Sequence, residues 1–228
     1  MSPDAQIALR RALEQGPGFC PPTLLTGPVP RIVLALKAHA ATIAAARLRA
    51  LEDSFPRTRA RAGDRRFRAR AARHLAAAAT LARPLEAIGG GFASLWRGRM
   101  RDLAAAEWAW LESHGAPDVP ALELAALAGR SEAEVEALGV QAHPAARLVP
   151  LAEPAHFAWD APLVGEGTVL LISRPATEVL LTPLCEKARA LWPLLAHPAP
   201  LGALLAADQE TVTTLVRRGA LVLSESAR

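Results

Sequence analysis

Two charged residues stand where helix periodicity calls for apolar ones. Residues 31–55 (RIVLALKAHAATIAAARLRALEDSF) carry apolar side chains at helical spacing. At about 100° per residue, Ile32, Val33, Leu36, Ile43, Leu48, Leu51 and Phe55 gather on one face, with Arg47 in its middle. Residues 100–114 (MRDLAAAEWAWLESH) repeat the pattern with Glu107 among Met100, Leu103, Trp110 and Leu111. A charge in a core needs a partner, because leaving it unpaired is costly. Two readings follow: an Arg47–Glu107 pair fixes two helices in register, or the charges are presented to another molecule. In the second case Arg49, Glu52, Asp53 and Arg57 join the patch. Trp108, off the main apolar face, is then a contact residue and Trp110 a core residue, since arginine and tryptophan anchor interfaces.

Other chemistry-bearing residues form no constellation. The six histidines, at 39, 74, 114, 143, 156 and 197, make no i, i+4 pair and no HExxH. There is no GxSxG and no cysteine–histidine–aspartate order, so no nucleophile stands out. Glu107 and Glu112 point to different sides of their helix and do not pair for acid–base work. Cys20 and Cys185 are far apart and give neither a disulfide framework nor a metal pattern. The triplet Gly89–Gly90–Gly91 follows a helical segment rather than a strand and lacks an adjacent Lys-Ser/Thr, so it reads as a tight bend, not a phosphate cradle.

Several elements must position these residues. Residues 3–15 form a leading helix capped by Ser2, and the proline-rich stretch 18–30 is an irregular connector. The long helix stops before Pro56, and Asp64 caps a helix to about Leu81. Short helices follow at 92–96, 121–127 and 131–138, the last with a Ser131–Glu134 capping box. Character changes near Gly139. Residues 143–151 are extended. Residues 167–173 (GTVLLIS) and 177–182 (TEVLLT) are strands joined by Arg174–Pro175–Ala176. Helices at 184–195, 201–205 and 209–218 and a strand at 221–224 complete the chain. The expected fold class is α+β, mostly α: a helical domain over 1–138, then a small winged-helix-like domain with a β-hairpin over 139–228. If a hairpin strand is a sheet edge, it can take a peptide as an added strand, along Val169, Leu170, Leu171, Ile172 and Ser173 or along Glu178, Val179, Leu180 and Leu181.

Composition bounds the rest. At 228 residues and 51% hydrophobic, the chain can build a real core, although alanine supplies much of that share. The net charge of +4 is concentrated in RTRARAGDRRFRARAAR over 57–73, which is either a solvated helix face or a patch for phosphates or acidic protein. Phe67 is the only aromatic there, which is thin for a nucleic-acid platform. No secretory signal is visible and no apolar run of about 18 residues is free of charge, so no membrane contact and a cytoplasmic location are expected.

In order along the chain, RLRALEDSFPRT (47–58), GDRRF (63–67), GGGFASLW (89–96), DLAAAEWAW (102–110), APD (116–118) and HPAARLV (143–149) resemble the HvfC/BufC family of accessory proteins in ribosomal peptide maturation. HAATI (39–43) is similar to its methanobactin branch. The resemblance covers most of the chain from about residue 31. It implies a non-catalytic subunit in a heterodimer with an MbnB-like multinuclear non-haem iron oxygenase of TIM-barrel fold. That enzyme converts cysteines of a precursor peptide to oxazolone and thioamide. The resemblance further implies that iron lies in the partner, that this chain holds no cofactor, and that its C-terminal domain captures the precursor's leader peptide by strand addition. The alternative is a winged-helix nucleic-acid-binding regulator, with Gln209, Thr213, Thr214, Arg217 and Arg218 on a recognition helix.

Overall fold

The structure is a computed structural model and describes residues 2–160 and 167–224. Its helices are α1 (Pro3–Gln15), α2 (Val29–Ser54), α3 (Pro56–Ala62), α4 (Asp64–Leu75), α5 (Ala78–Leu81), α6 (Gly98–His114), α7 (Glu132–Glu136), α8 (Lys187–Leu191) and α9 (Leu201–Arg217). Its strands are β1 (Gly139–Ala142), β2 (Arg147–Pro150), β3 (Val169–Ser173), β4 (Leu180–Leu184), β5 (Ala199–Pro200) and β6 (Leu221–Leu223). The class is α+β and mostly helical, as expected. The chain divides into two compact units: residues 1–53 with 71–88, and residues 54–70 with 89–228. The boundary expected near Gly139 lies inside the second unit.

In the first unit, Ser2 caps α1 by accepting the Ala5 N–H, and Gly16 ends it with φ 112°. The core is small: Ala12, Leu36, Leu51, Ala71 and Ile88 are buried. His74 is buried with them and donates from Nε2 to the Ile88 carbonyl at 2.7 Å. Burial holds its pKa below the ordinary histidine value, against the pull of that hydrogen bond. Among the described residues, α2 is the one helix long and apolar enough to cross a membrane by length and composition. Every 18-residue window of it contains Lys37.

In the second unit α6 is the central helix. Its small residues Ala104, Ala106 and Ala109 are buried together with Asp102, Leu103, Glu107 and Ser113, so it is covered on most sides. The expected apolar stripe of Met100, Trp110 and Leu111 is only half-buried. An aromatic cluster of Phe55, Phe67, Phe92 and Trp96 adjoins it, with Phe55 and Phe92 ring centres 4.8 Å apart. Two antiparallel sheets have the orders β5-β1-β6 and β2-β3-β4. The turn at His143, closed by the Ala146 N–H on the His143 carbonyl, carries the chain from β1 in one sheet to β2 in the other. β3 is buried along its whole length. Leu170 and Ile172 pack with Ala106 and Ala109, while Leu171 belongs to a second cluster with Leu184 and Leu215.

Several boundaries shift for local reasons. Phe55 leaves the helix, because Pro56 starts a new one. The single helix expected from Asp64 to about Leu81 breaks after Leu75, and α5 begins at Ala78. The helix expected over 184–195 starts only at Lys187, and from Trp192 it tightens to a 3-10 turn at Pro193. The expected pair of C-terminal helices is α9, which kinks at Asp208.

Candidate functional site

Arg47 and Glu107 are satisfied separately rather than by one another. In the first unit, the half-buried Arg47 guanidinium donates to the carbonyls of Thr80 and Arg83, tying α2 to the segment after α5. In the second unit, Glu107 is buried on α6. It accepts the backbone N–H groups of Arg57 at 2.6 Å and Thr58 at 2.9 Å. These are the unpaired donors at the start of α3, and Phe55 offers no side-chain cap there. Burial raises the Glu107 pKa, and the hydrogen bonds from Thr58 and Arg57 oppose that rise. An Arg47–Glu107 register pair is therefore replaced by two charge-to-backbone anchors.

The remaining interface candidates are scattered in environment. Arg49 and Asp53 form an exposed i, i+4 pair at 3.2 Å. Glu52 is buried, so it is not part of an exposed patch. Arg57 makes a two-point pair with Asp160, at 2.9 and 2.8 Å, and lies over the Trp159 ring at 4.1 Å. Trp108 is not a protruding contact residue. It stacks on Phe55 at 6.1 Å, donates to Glu112 at 2.9 Å and fills the space above Gly89. Trp110 is half-buried and stacks on the exposed His114.

The hairpin differs from expectation in length and in which strand is open. β4 runs from Leu180 to Leu184, so Glu178 and Val179 belong to the loop and not to the strand. The loop is long because Arg174 is pulled inward. Its guanidinium donates to the carbonyls of Ser113 and Ala116 and pairs with Asp118. β3 is paired on both sides, by Val149↔Leu170 with β2 and Ile172↔Leu181 with β4. Val169, Leu170, Leu171, Ile172 and Ser173 therefore cannot receive a peptide by strand addition. The outer edge of β4 carries no strand among the described residues. Pro183 sits in β4 without breaking the ladder, which requires its nitrogen to face away from β3. By strand alternation the backbone of Leu181 faces outward as well.

Two anchors escaped the sequence reading. Asp102, 1% exposed, accepts the N–H groups of Ala152 and Glu153. Arg174 is the other. The signal for Asp102 was its place one, two and three turns from Ala106, Ala109 and Ser113, all buried. His143 accepts the Ala145 N–H on Nδ1 and donates from Nε2 to the Val119 carbonyl, so both ring nitrogens are engaged. Among the described residues no group of three histidine, cysteine, aspartate or glutamate side chains could hold a metal ion. No protein-family model matches this chain, and no curated protein matches it.

Proposed function

We propose that this chain is a non-catalytic partner subunit of a multinuclear non-haem iron oxygenase. That enzyme would modify cysteines in a ribosomally made precursor peptide, as in oxazolone and thioamide formation. The outer edge of β4, which carries no strand among the described residues, is the observation that carries the reading. Leu181 presents its backbone there, beside a β3 that is buried throughout, which suits capture of an extended leader peptide by main-chain hydrogen bonds. The ordered resemblance of six short motifs to the HvfC/BufC family supports the partner half of the proposal. Docking to the iron enzyme would use the helical N-terminal part, with Arg49 and Asp53 among its exposed charged residues on α2. Iron would reside in the partner, and the pair would work in the cytoplasm.

Co-expression with the iron-enzyme homologue from the same operon tests this. The expected result is a stoichiometric complex on size exclusion, with iron in the larger subunit. A monomer that ignores that enzyme contradicts it.

A nucleic-acid-binding regulator is the second reading, and it draws on α9, which leaves Gln209 and Arg217 exposed. It carries less weight because part of the arginine run is engaged within the chain. Arg57 holds Asp160, Arg59 holds Asp64, Arg61 donates to the Trp159 carbonyl and Arg70 lies over Trp96. DNA affinity that falls steeply with salt would favour it over the partner-subunit reading.

A further inference from the structure

We infer that the arginine surface at the start of α6 docks a carboxylate-rich face of the iron enzyme; the inference rests on the partner-subunit reading and names the chemistry of that contact. Arg97, Arg99 and Arg101 are all exposed at the start of this helix. Arg97 and Arg101 stand one turn apart, and like charges at that spacing repel. Helix starts also favour anions over cations. The helix α4 adds to the charge. Its Arg70 lies over the Trp96 ring at 4.3 Å and donates to the Leu95 carbonyl at 3.1 Å. Arg66 is exposed and one turn before Arg70, so it lies on the side of α4 that meets the segment leading into α6.

Little within the chain offsets this charge. Arg66, Arg97, Arg99 and Arg101 make no ion pair among the described residues, whereas Arg57, Arg59 and Arg189 are matched by Asp160, Asp64 and Glu186. Asp102, next to Arg101, is buried and accepts the N–H groups of Ala152 and Glu153. The Glu153 carboxylate lies against Gly98 but pairs with none of the four arginines. Carboxylates of a second chain would relieve the repulsion among them. The surroundings favour a protein over a nucleic acid. Phe67 and Trp96 are buried, so neither ring can stack on a base. Met100, half-buried, stands between Arg99 and Arg101 in sequence, and Leu95 is half-buried as well. Apolar contacts rimmed by arginine match the make-up of protein interfaces, and the guanidinium fork fits a carboxylate.

The test is titration of the purified iron-enzyme homologue with the full chain at about 50 and about 500 mM salt. Arg97→Glu combined with Arg101→Glu should weaken the complex by about tenfold or more at the lower salt, and by much less at the higher. Carboxylates suit a helix start, so this variant should melt no lower than the wild type. If it fails to fold, the Arg97→Gln and Arg101→Gln pair decides, with a smaller loss of the same salt dependence. The control is Arg189→Glu combined with Arg217→Glu, which changes the net charge equally on exposed residues elsewhere and should leave affinity near the wild-type value. Undiminished affinity in the Arg97 and Arg101 variant overturns the inference and leaves the partner-subunit reading in place. An equal loss in the control overturns it too, because net charge and not this surface would then govern the contact. A DNA duplex that competes the enzyme off the wild-type chain would assign the surface to phosphates and overturn it as well. Absence of any wild-type complex overturns both the inference and the reading beneath it.

Discussion

The carboxylate of Glu107, on the central helix α6, lies 2.9 Å from the backbone nitrogen of Thr58 at the start of α3. With its second oxygen on the Arg57 N–H, one side chain caps a helix that has no cap of its own. Glu107→Ala removes the acceptor from two N–H groups and should cost about 2–4 kcal/mol in urea denaturation, and Glu107→Gln less. Loss below about half a kcal/mol would mean that water replaces the carboxylate without penalty.

The same residue gives a pH dependence. Burial raises its folded pKa above the unfolded value. Over that window the folded state keeps a proton that the unfolded state has lost, so stability falls as pH rises past the ordinary glutamate range. The stability of the wild-type chain relative to Glu107→Gln should therefore decline with rising pH. A relative gain over the same window would show that the two amide N–H groups, not burial, set the pKa.

His74 runs the other way. Its folded pKa is depressed, so its stabilising contribution is present above the ordinary histidine value and is lost as pH falls below it, where the unfolded state binds the proton first. Thermal melts should move down as pH drops from about 7 to 5, and His74→Asn should flatten that part of the profile. An unchanged slope in the variant would remove His74 from the account.

Gly89 lies under the Trp108 ring, and a Cβ there would sit 2.4 Å from it and 2.9 Å from Phe55. Gly89→Ala should destabilise by about 1–3 kcal/mol and shift tryptophan fluorescence as the indole moves. A neutral substitution would contradict the packing of that ring.

Much of this arrangement was legible in the sequence. The capping box at Ser131, the break at Pro56, the glycine bend and the strand ending near Ser224 each rest on local chemistry that a chain carries with it. That Arg47 and Glu107 point inward was legible too, because periodicity places side chains on faces. Their partners were not, because a backbone carbonyl or N–H is present at every position and leaves no mark in composition. The same blindness hid Asp102, whose N–H donors lie about fifty residues away. The hairpin was visible as two apolar runs, but strand order was not. Whether β3 or β4 is the edge depends on β2, which joins the sheet from a segment that read only as extended. Arg174 lengthened the loop by turning inward to meet Ser113 and Ala116, a tertiary contact that the turn residues themselves do not announce.

The central claim is that a leader peptide adds to the outer edge of β4 in a complex with the iron enzyme. Backbone hydrogen exchange of the co-purified complex, with and without the precursor peptide, tests it most directly. The account predicts slowed exchange at the outward amide of Leu181, with β3 already protected and unchanged. Protection confined to other segments, or none at Leu181 under saturating peptide, would contradict it.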